Sequence, residues 1–138
     1  MKEILKFNDF IRNEIDWIDF EVNDYSFDEF KIIGSEDLTY GHIVELIFKE
    51  VQYIQIRDTW TSEVNDEIGL IKLLKDTERE KFVSLYGIED KFNIYQIATE
   101  DYGDFIVSAT SLRIDYTKVF YYKKNPLLEN EKIAEWVK

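Results

Sequence analysis

From His42 onward the chain carries a β-pattern dense enough to fix much of what it can fold into. Val44, Leu46 and Phe48 fall on one parity and Ile43, Glu45 and Ile47 on the other, a run rich in strand formers. After Lys49-Glu50 the apolar residues become Val51 and Tyr53, then Ile54 and Ile56. The apolar parity therefore changes on crossing Lys49-Glu50 and again near Tyr53-Ile54. Side chains alternate strictly along a strand, so each change demands a hairpin or a bulge. Lys-Glu is poor in the left-handed conformations of tight turns. A bulged or longer-looped hairpin and a two-residue turn both remain open at that point. Arg57-Asp58-Thr59-Trp60-Thr61-Ser62 reads as the loop leaving the sheet.

Other segments extend the pattern. Ile4, Leu5, Phe7, Ile11 and Ile15 recur at spacings near three and four, which predicts a helix over about residues 2–13. Ile18, Phe20 and Val22 alternate with Trp17, Asp19 and Glu21 as a strand, followed by a turn at Asn23-Asp24-Tyr25-Ser26. Phe30 to Ile33 forms a second strand closed by Gly34-Ser35-Glu36-Asp37. The run Ile68, Leu70, Ile71, Leu73 and Leu74 fits either a buried strand or a helix start. Thr77-Glu78-Arg79-Glu80 has the form of a capping box before a helix carrying Phe82, Val83 and Tyr86 and ending at Gly87. Phe92 to Ile97 reads as a strand, with a hairpin loop at Thr99-Glu100-Asp101-Tyr102-Gly103-Asp104. Phe105, Val107 and Ala109 then give way to Leu112, Ile114 and Tyr116, a slip at Thr110-Ser111 that a bulge or sheet corner would correct, and the β pattern continues to Lys123. Asn125-Pro126 looks like a cap and first-turn proline for a closing helix through Leu127, Leu128, Ile133, Ala134, Trp136 and Val137. The expected architecture is α+β: a bent, mainly antiparallel sheet of six to eight short strands. N-terminal, middle and C-terminal helices pack around it, all within one domain spanning residues 1–138.

Composition narrows the chemistry. With no cysteine and one histidine, His42, the chain lacks thiol nucleophiles, thiolate metal sites and any site that needs two imidazoles. No glycine-rich phosphate loop, dinucleotide fingerprint or Gly-x-Ser-x-Gly context occurs, so neither an enzyme nor a cofactor is expected. A net charge of −12 leaves no provider for phosphate neutralisation, which argues against nucleic acid. The start, interrupted by Lys6, Asn8, Asp9, Arg12 and Asn13, has no secretory pattern, and no apolar run is long enough to cross a membrane. A cytoplasmic location is expected.

The charge is unevenly placed. Residues 1–70 hold 6 basic and 17 acidic side chains, against 11 and 12 in residues 71–138. Between Arg12 and Lys31 stand Glu14, Asp16, Asp19, Glu21, Asp24, Asp28 and Glu29 with no base among them. If strand spacing gathers Asp16, Asp19, Glu21, Asp24, Asp28 and Glu29, their repulsion raises the cost of folding unless a cation or partner answers it. One reading is a solvated face that maintains solubility, and the other is a docking surface for a basic partner. Tyr25, Trp60 and Tyr102 fall in predicted loops, either as interface anchors or as rings packed over the sheet edge. His42 reads as a hydrogen-bonded structural imidazole, and the carboxylates at Glu100, Asp101 and Asp104 as a turn rather than a calcium loop.

The strand Val44-Glu45-Leu46-Ile47-Phe48-Lys49-Glu50-Val51, with Ile54, Ile56 and Trp60, and the later strand Ile106 to Ile114 together resemble small bacterial immunity proteins of polymorphic toxin systems. The likeness covers roughly residues 40–60 and 104–122 and transfers no functional residue. It implies a cytoplasmic, non-enzymatic inhibitor whose acidic surface occludes a toxin domain, often a basic nuclease. The alternatives are a structural or adaptor domain and a small-ligand-binding domain with a cavity in the bent sheet.

Overall fold

A computed structural model describes residues 2–26, 28–63, 69–100 and 103–138. Among these, the chain forms α1 (Lys2–Glu14), β1 (Trp17–Tyr25), β2 (Glu29–Ser35), β3 (Gly41–His42), β4 (Val44–Gln55), β5 (Thr59–Glu63), β6 (Ile71–Leu73), α2 (Asp76–Tyr86), β7 (Asn93–Ile97), β8 (Phe105–Asp115), β9 (Lys118–Phe120) and β10 (Glu131–Ile133). Seven strands make one antiparallel sheet in the order β5-β1-β2-β4-β8-β7-β6, curled into a half-barrel. A second sheet, β10-β9-β3, has a parallel β10–β9 pair.

The curl comes from the parity changes in β4 and β8. Phe48 faces Leu112 and Val51 faces Ala109, all turned to the same core, so both strands shift parity across one place, at Lys49-Glu50 and Thr110-Ser111. Glu50 takes a left-handed φ of 49° there, and its N–H donates to the Asp28 carbonyl at 2.9 Å. A register shift between Val51 and Tyr53 then returns Ile54 to the core opposite Val107. The stretch is thus one twelve-residue bent strand rather than a hairpin.

The inner face of this half-barrel holds the main core. Ile4, Phe7, Ile11 and Ile15 at the helical end meet Ile18, Phe20, Phe30, Ile32, Val44, Leu46, Phe48, Trp60 and Val107. A smaller cluster of Leu74, Ile88, Phe92, Ile94 and Ile106 lies under α2, which buries no residue fully and leans on it through Phe82 and Val83. Tyr86 stacks on Tyr53 at 4.6 Å. Gly87 ends α2 with φ 65°, its N–H donating to the Val83 carbonyl, as the glycine position predicts.

Both edges of the large sheet are occupied. On β6 the Asn8 side chain of α1 engages the Ile71 main chain. On β5 the Thr61 carbonyl accepts from the Glu100 N–H at 3.0 Å, and the Ser62 hydroxyl donates to the Ala98 carbonyl at 2.5 Å. The curl thus brings β5 against the β7–β8 connection, and Trp60 packs edge to face on Phe105 of β8 at 5.1 Å.

Four expectations are corrected. Among the described residues no C-terminal helix forms: after the cis Asn125–Pro126 bond the chain turns irregularly and pairs β10 beside β9. Leu128 and Trp136 stay exposed, only Ala134 of the proposed stripe is buried, and the Glu131 carboxylate accepts from the Leu128 N–H while pairing with Lys124. A helix this short is marginal alone, and the strand pairing satisfies its main chain instead. Arg57 to Ser62, expected as a loop, instead runs into β5, matched to β1 from Thr59↔Glu21 to Glu63↔Trp17. No capping box forms: β6 delivers the chain at Leu74, whose N–H donates to the Ile94 carbonyl, and the helix starts at once, with Thr77 inside it and Lys75 in the cap position without a side-chain cap. The first turn also lies later, since β1 runs through Tyr25 and Gly34-Ser35 belong to β2. Ile68, Asp101 and Tyr102 lie outside the described residues, while Ile71 and Leu73 resolve as strand.

Candidate functional site

The acidic residues are sorted by strand period and by one bulge. Asp19 and Glu21 face outward, opposite in parity to the fully buried Ile18 and Phe20. Asp24 has the inward parity. A register shift between Val22 and Asp24 reverses it, pairing Asp24 with outward-facing Lys31 and Tyr25 with inward-facing Phe30. Three carboxylates, Asp19, Glu21 and Asp24, therefore share the outer face, and Tyr25, largely exposed, meets Phe30 edge to face at 5.6 Å.

Their electrostatic partners differ. Glu29, on the same face, forms an ion pair with cross-strand Lys49 at 2.7 Å, and this hydrogen bond holds its carboxyl below the usual range. Asp19 accepts from the Thr61 hydroxyl at 2.6 Å. Among the described residues Asp16, Glu21, Asp24 and Asp28 form no ion pair and stand exposed, Asp16 in the α1–β1 link and Asp28 in the β1–β2 connection. Glu63 lies opposite Trp17, which is 44% exposed, and extends the acidic strip along β5. A cleft of about 420 Å³ opens beside it, lined by Asp19, Leu38, Arg57, Thr59, Thr61 and Glu100.

Trp60 does not belong to this surface. It borders the cleft, yet its ring faces the interior, stacked on Phe20 at 5.2 Å and only 5% exposed. Its assignment as a loop aromatic available to a partner is corrected by β5, which turns the indole into the core. Sequence reading passed over Trp17 and Glu63, whose outward positions follow only once β5 is paired with β1.

On the outer face of β4, a second polar cluster is buried. His42 Nε2 lies 2.8 Å from Glu45 Oε2, His42 Nδ1 lies 2.6 Å from the Tyr121 hydroxyl, and Lys31 Nζ lies 3.5 Å from Glu45 Oε1. Burial, with the charges of Glu21 and Glu45, pushes the Tyr121 phenol up to about 12. It stays protonated and donates to Nδ1, which leaves the Nε2–H to donate to Glu45. The His42 hydrogen bond holds the Glu45 carboxyl below its usual range against the opposing effect of burial, with Lys31, His42 and Lys132 adding favourable charge. Both imidazole nitrogens are engaged inside the protein, so this arrangement presents neither a free base nor a free acid to a substrate. The sequence signal for it was Glu45, a carboxylate within the most apolar strand of the chain. Among the described residues no three His, Asp or Glu side chains converge as metal ligands would.

Comparison with protein-family models, with curated proteins and with solved structures returns no match. The geometry of the chain itself is the ground for a functional reading.

Proposed function

We propose that this chain is a non-enzymatic binding domain for a basic protein partner, engaged through the outer face of β5 and β1 and the β1–β2 connection. An immunity protein that occludes a cationic toxin domain is the specific form this reading takes. The observation that carries it is the bulge after Val22, which brings Asp24 to the outer face beside Asp19 and Glu21. Like charges held together on an exposed sheet face repel one another and raise local potential, an arrangement suited to steering a cation. Exposed Trp17 offers an amphipathic ring at the margin, while Tyr25, turned with Phe30 to the opposite face, lies off the strip. A second reading, a small-ligand domain, draws on the polar cleft between Asp19 and Glu100.

The test compares wild-type protein with a variant carrying Asp19→Asn, Glu21→Gln, Asp24→Asn and Asp28→Asn. Both are immobilised, exposed to lysate at low and high salt, and their captured proteins identified, with thermal unfolding measured alongside. The reading expects basic proteins on the wild type, captured less at high salt, and their loss from a variant of unchanged stability. Capture that is indifferent to the four substitutions, or dominated by acidic proteins, overturns it.

A further inference from the structure

The small sheet rests on the large one through a polar pin. Ile33 and Ile47 are buried on the outer face of β2 and β4, yet they belong to neither apolar cluster, and the same holds for Val119 and Ala134 beside β9 and β10. His42 on β3 reaches down to Glu45 on β4, and Tyr121, just beyond β9, closes on His42 from the other side. The Ile43 N–H donates to the Gly34 carbonyl at 2.9 Å, the adjacent main-chain link between the two sheets. These contacts set the small sheet against the outer face of β2 and β4, the face on which Ile33 and Ile47 are buried.

The groups around His42 come from every neighbouring element. Glu45 stands on β4 with Asp115 opposite it on β8 and Lys31 on β2, Lys132 on β10 acts on both carboxylates, and Glu21 on β1 acts on Tyr121. Asp37 and Lys118 border the small cleft that His42 also lines. The single buried anion at the pin is Glu45. While it is ionised, His42 is satisfied whether neutral or protonated, because Nε2 donates in either state. Once Glu45 is neutral and His42 protonated, a buried imidazolium faces Lys31 with no counter-charge. Lys31 is partly exposed and can swing to water, but His42 reaches water only if β3 moves, and β3 is hydrogen-bonded to β9.

We infer that the three-stranded sheet is an acid-released flap, held on β2 and β4 by the His42–Glu45 pin and lifted when Glu45 loses its charge beneath protonated His42. Lifting uncovers Ile33 and Ile47, and the seven-stranded sheet beneath keeps its own ladder. The inference is independent of the acidic strip and of any partner.

The experiment follows binding of a hydrophobic dye and far-UV circular dichroism from neutral pH downward in wild type, Glu45→Gln and His42→Gln. Wild type is expected to bind dye at a pH where the far-UV signal is still native. Glu45→Gln removes the counter-charge and should raise the dye midpoint by about one pH unit or more. His42→Gln keeps hydrogen-bonding capacity without a titrating charge, and its dye transition should merge with global unfolding. If Glu45→Gln already binds dye at neutral pH, raising the pH must suppress that binding, because neutral His42 no longer needs an anion. A variant that misfolds would bind dye at every pH and count against the pin as the cause. Coincident dye and far-UV transitions in wild type, or a His42→Gln variant with the wild-type dye midpoint, overturn the inference.

Discussion

The carboxamide of Asn8 occupies the place of a missing strand beside Ile71. Its Nδ2 donates to the Ile71 carbonyl at 2.9 Å and its Oδ1 accepts from the Ile71 N–H at 3.1 Å, so one side chain satisfies both outward main-chain groups of that edge residue. Replacing Asn8 by Ala should lower stability by about 1–3 kcal/mol, the range for leaving partly buried polar groups unpaired. It should also promote self-association through the opened edge. Denaturant unfolding and light scattering read the two effects, and a fully stable, monomeric variant would dismiss the role given to Asn8.

Gly69 is bound to the same device. A Cβ built there would lie 2.2 Å from Asn8 Nδ2, so Gly69→Ala must push the amide off Ile71. The two substitutions should be non-additive: once Asn8 is Ala, Gly69→Ala costs little more. A double-mutant cycle measures the coupling.

Trp60→Ala should cost about 3–5 kcal/mol, the usual loss for a large buried aromatic. Its indole N–H has no acceptor among the described residues, so Trp60→Phe forfeits no hydrogen bond and should cost only part of that. Thermal unfolding separates these outcomes from those of a surface anchor, whose truncation would leave the melting temperature in place.

Asp115, opposite Glu45 at the foot of the flap, offers a second test of acid sensitivity. The Thr117 N–H donates to its carboxylate at 2.8 Å, and this bond, ahead of any charge effect, holds the carboxyl below its usual value. The folded state thus has the lower pKa. The stabilisation is present above the ordinary aspartate range and is lost as pH falls through the lowered value. Asp115→Asn should be the less stable protein at neutral pH, and the gap should close in acid. Urea unfolding across that range checks it, and a gap that widens in acid would reverse the sign.

The left-handed residue at the bend is Glu50, with φ 49°. Valine, branched at Cβ, tolerates that conformation poorly, and Glu50→Val should lose about 1–2 kcal/mol. Glycine adopts it freely, so Glu50→Gly should be the more stable of the two by denaturant unfolding.

Much of the curvature was legible in the chain. The parity changes at Lys49-Glu50, Tyr53-Ile54 and Thr110-Ser111 are the places where the sheet bends, because a fixed alternation leaves no other way to return apolar residues to one core. What the chain hid depended on residues far apart. Arg57 to Ser62 reads as a loop until Phe20 stands opposite Trp60, and the run from Asn125 reads as a helix until β9 offers it a strand partner. The acidic run was visible in full, but its partial neutralisation was not, since Lys49 comes to Glu29 across strands rather than along the sequence. Nor did local parity reveal that Asp24 turns outward, because the bulge that moves it lies in β1 among polar residues.

The seals at the two sheet edges also set an order of events during synthesis. Asn8 leaves the ribosome 63 residues before the Ile71 main chain it must engage, and Thr61 waits for Glu100. The Ile71 edge therefore emerges with its amide cap already made, whereas the β5 edge stands unsealed until the residues from Ala98 to Glu100 arrive. Such long-range closure slows folding relative to local pairing. For the nascent protein, the hazardous interval is the one in which the early strands have emerged and the segments that protect them are still unmade.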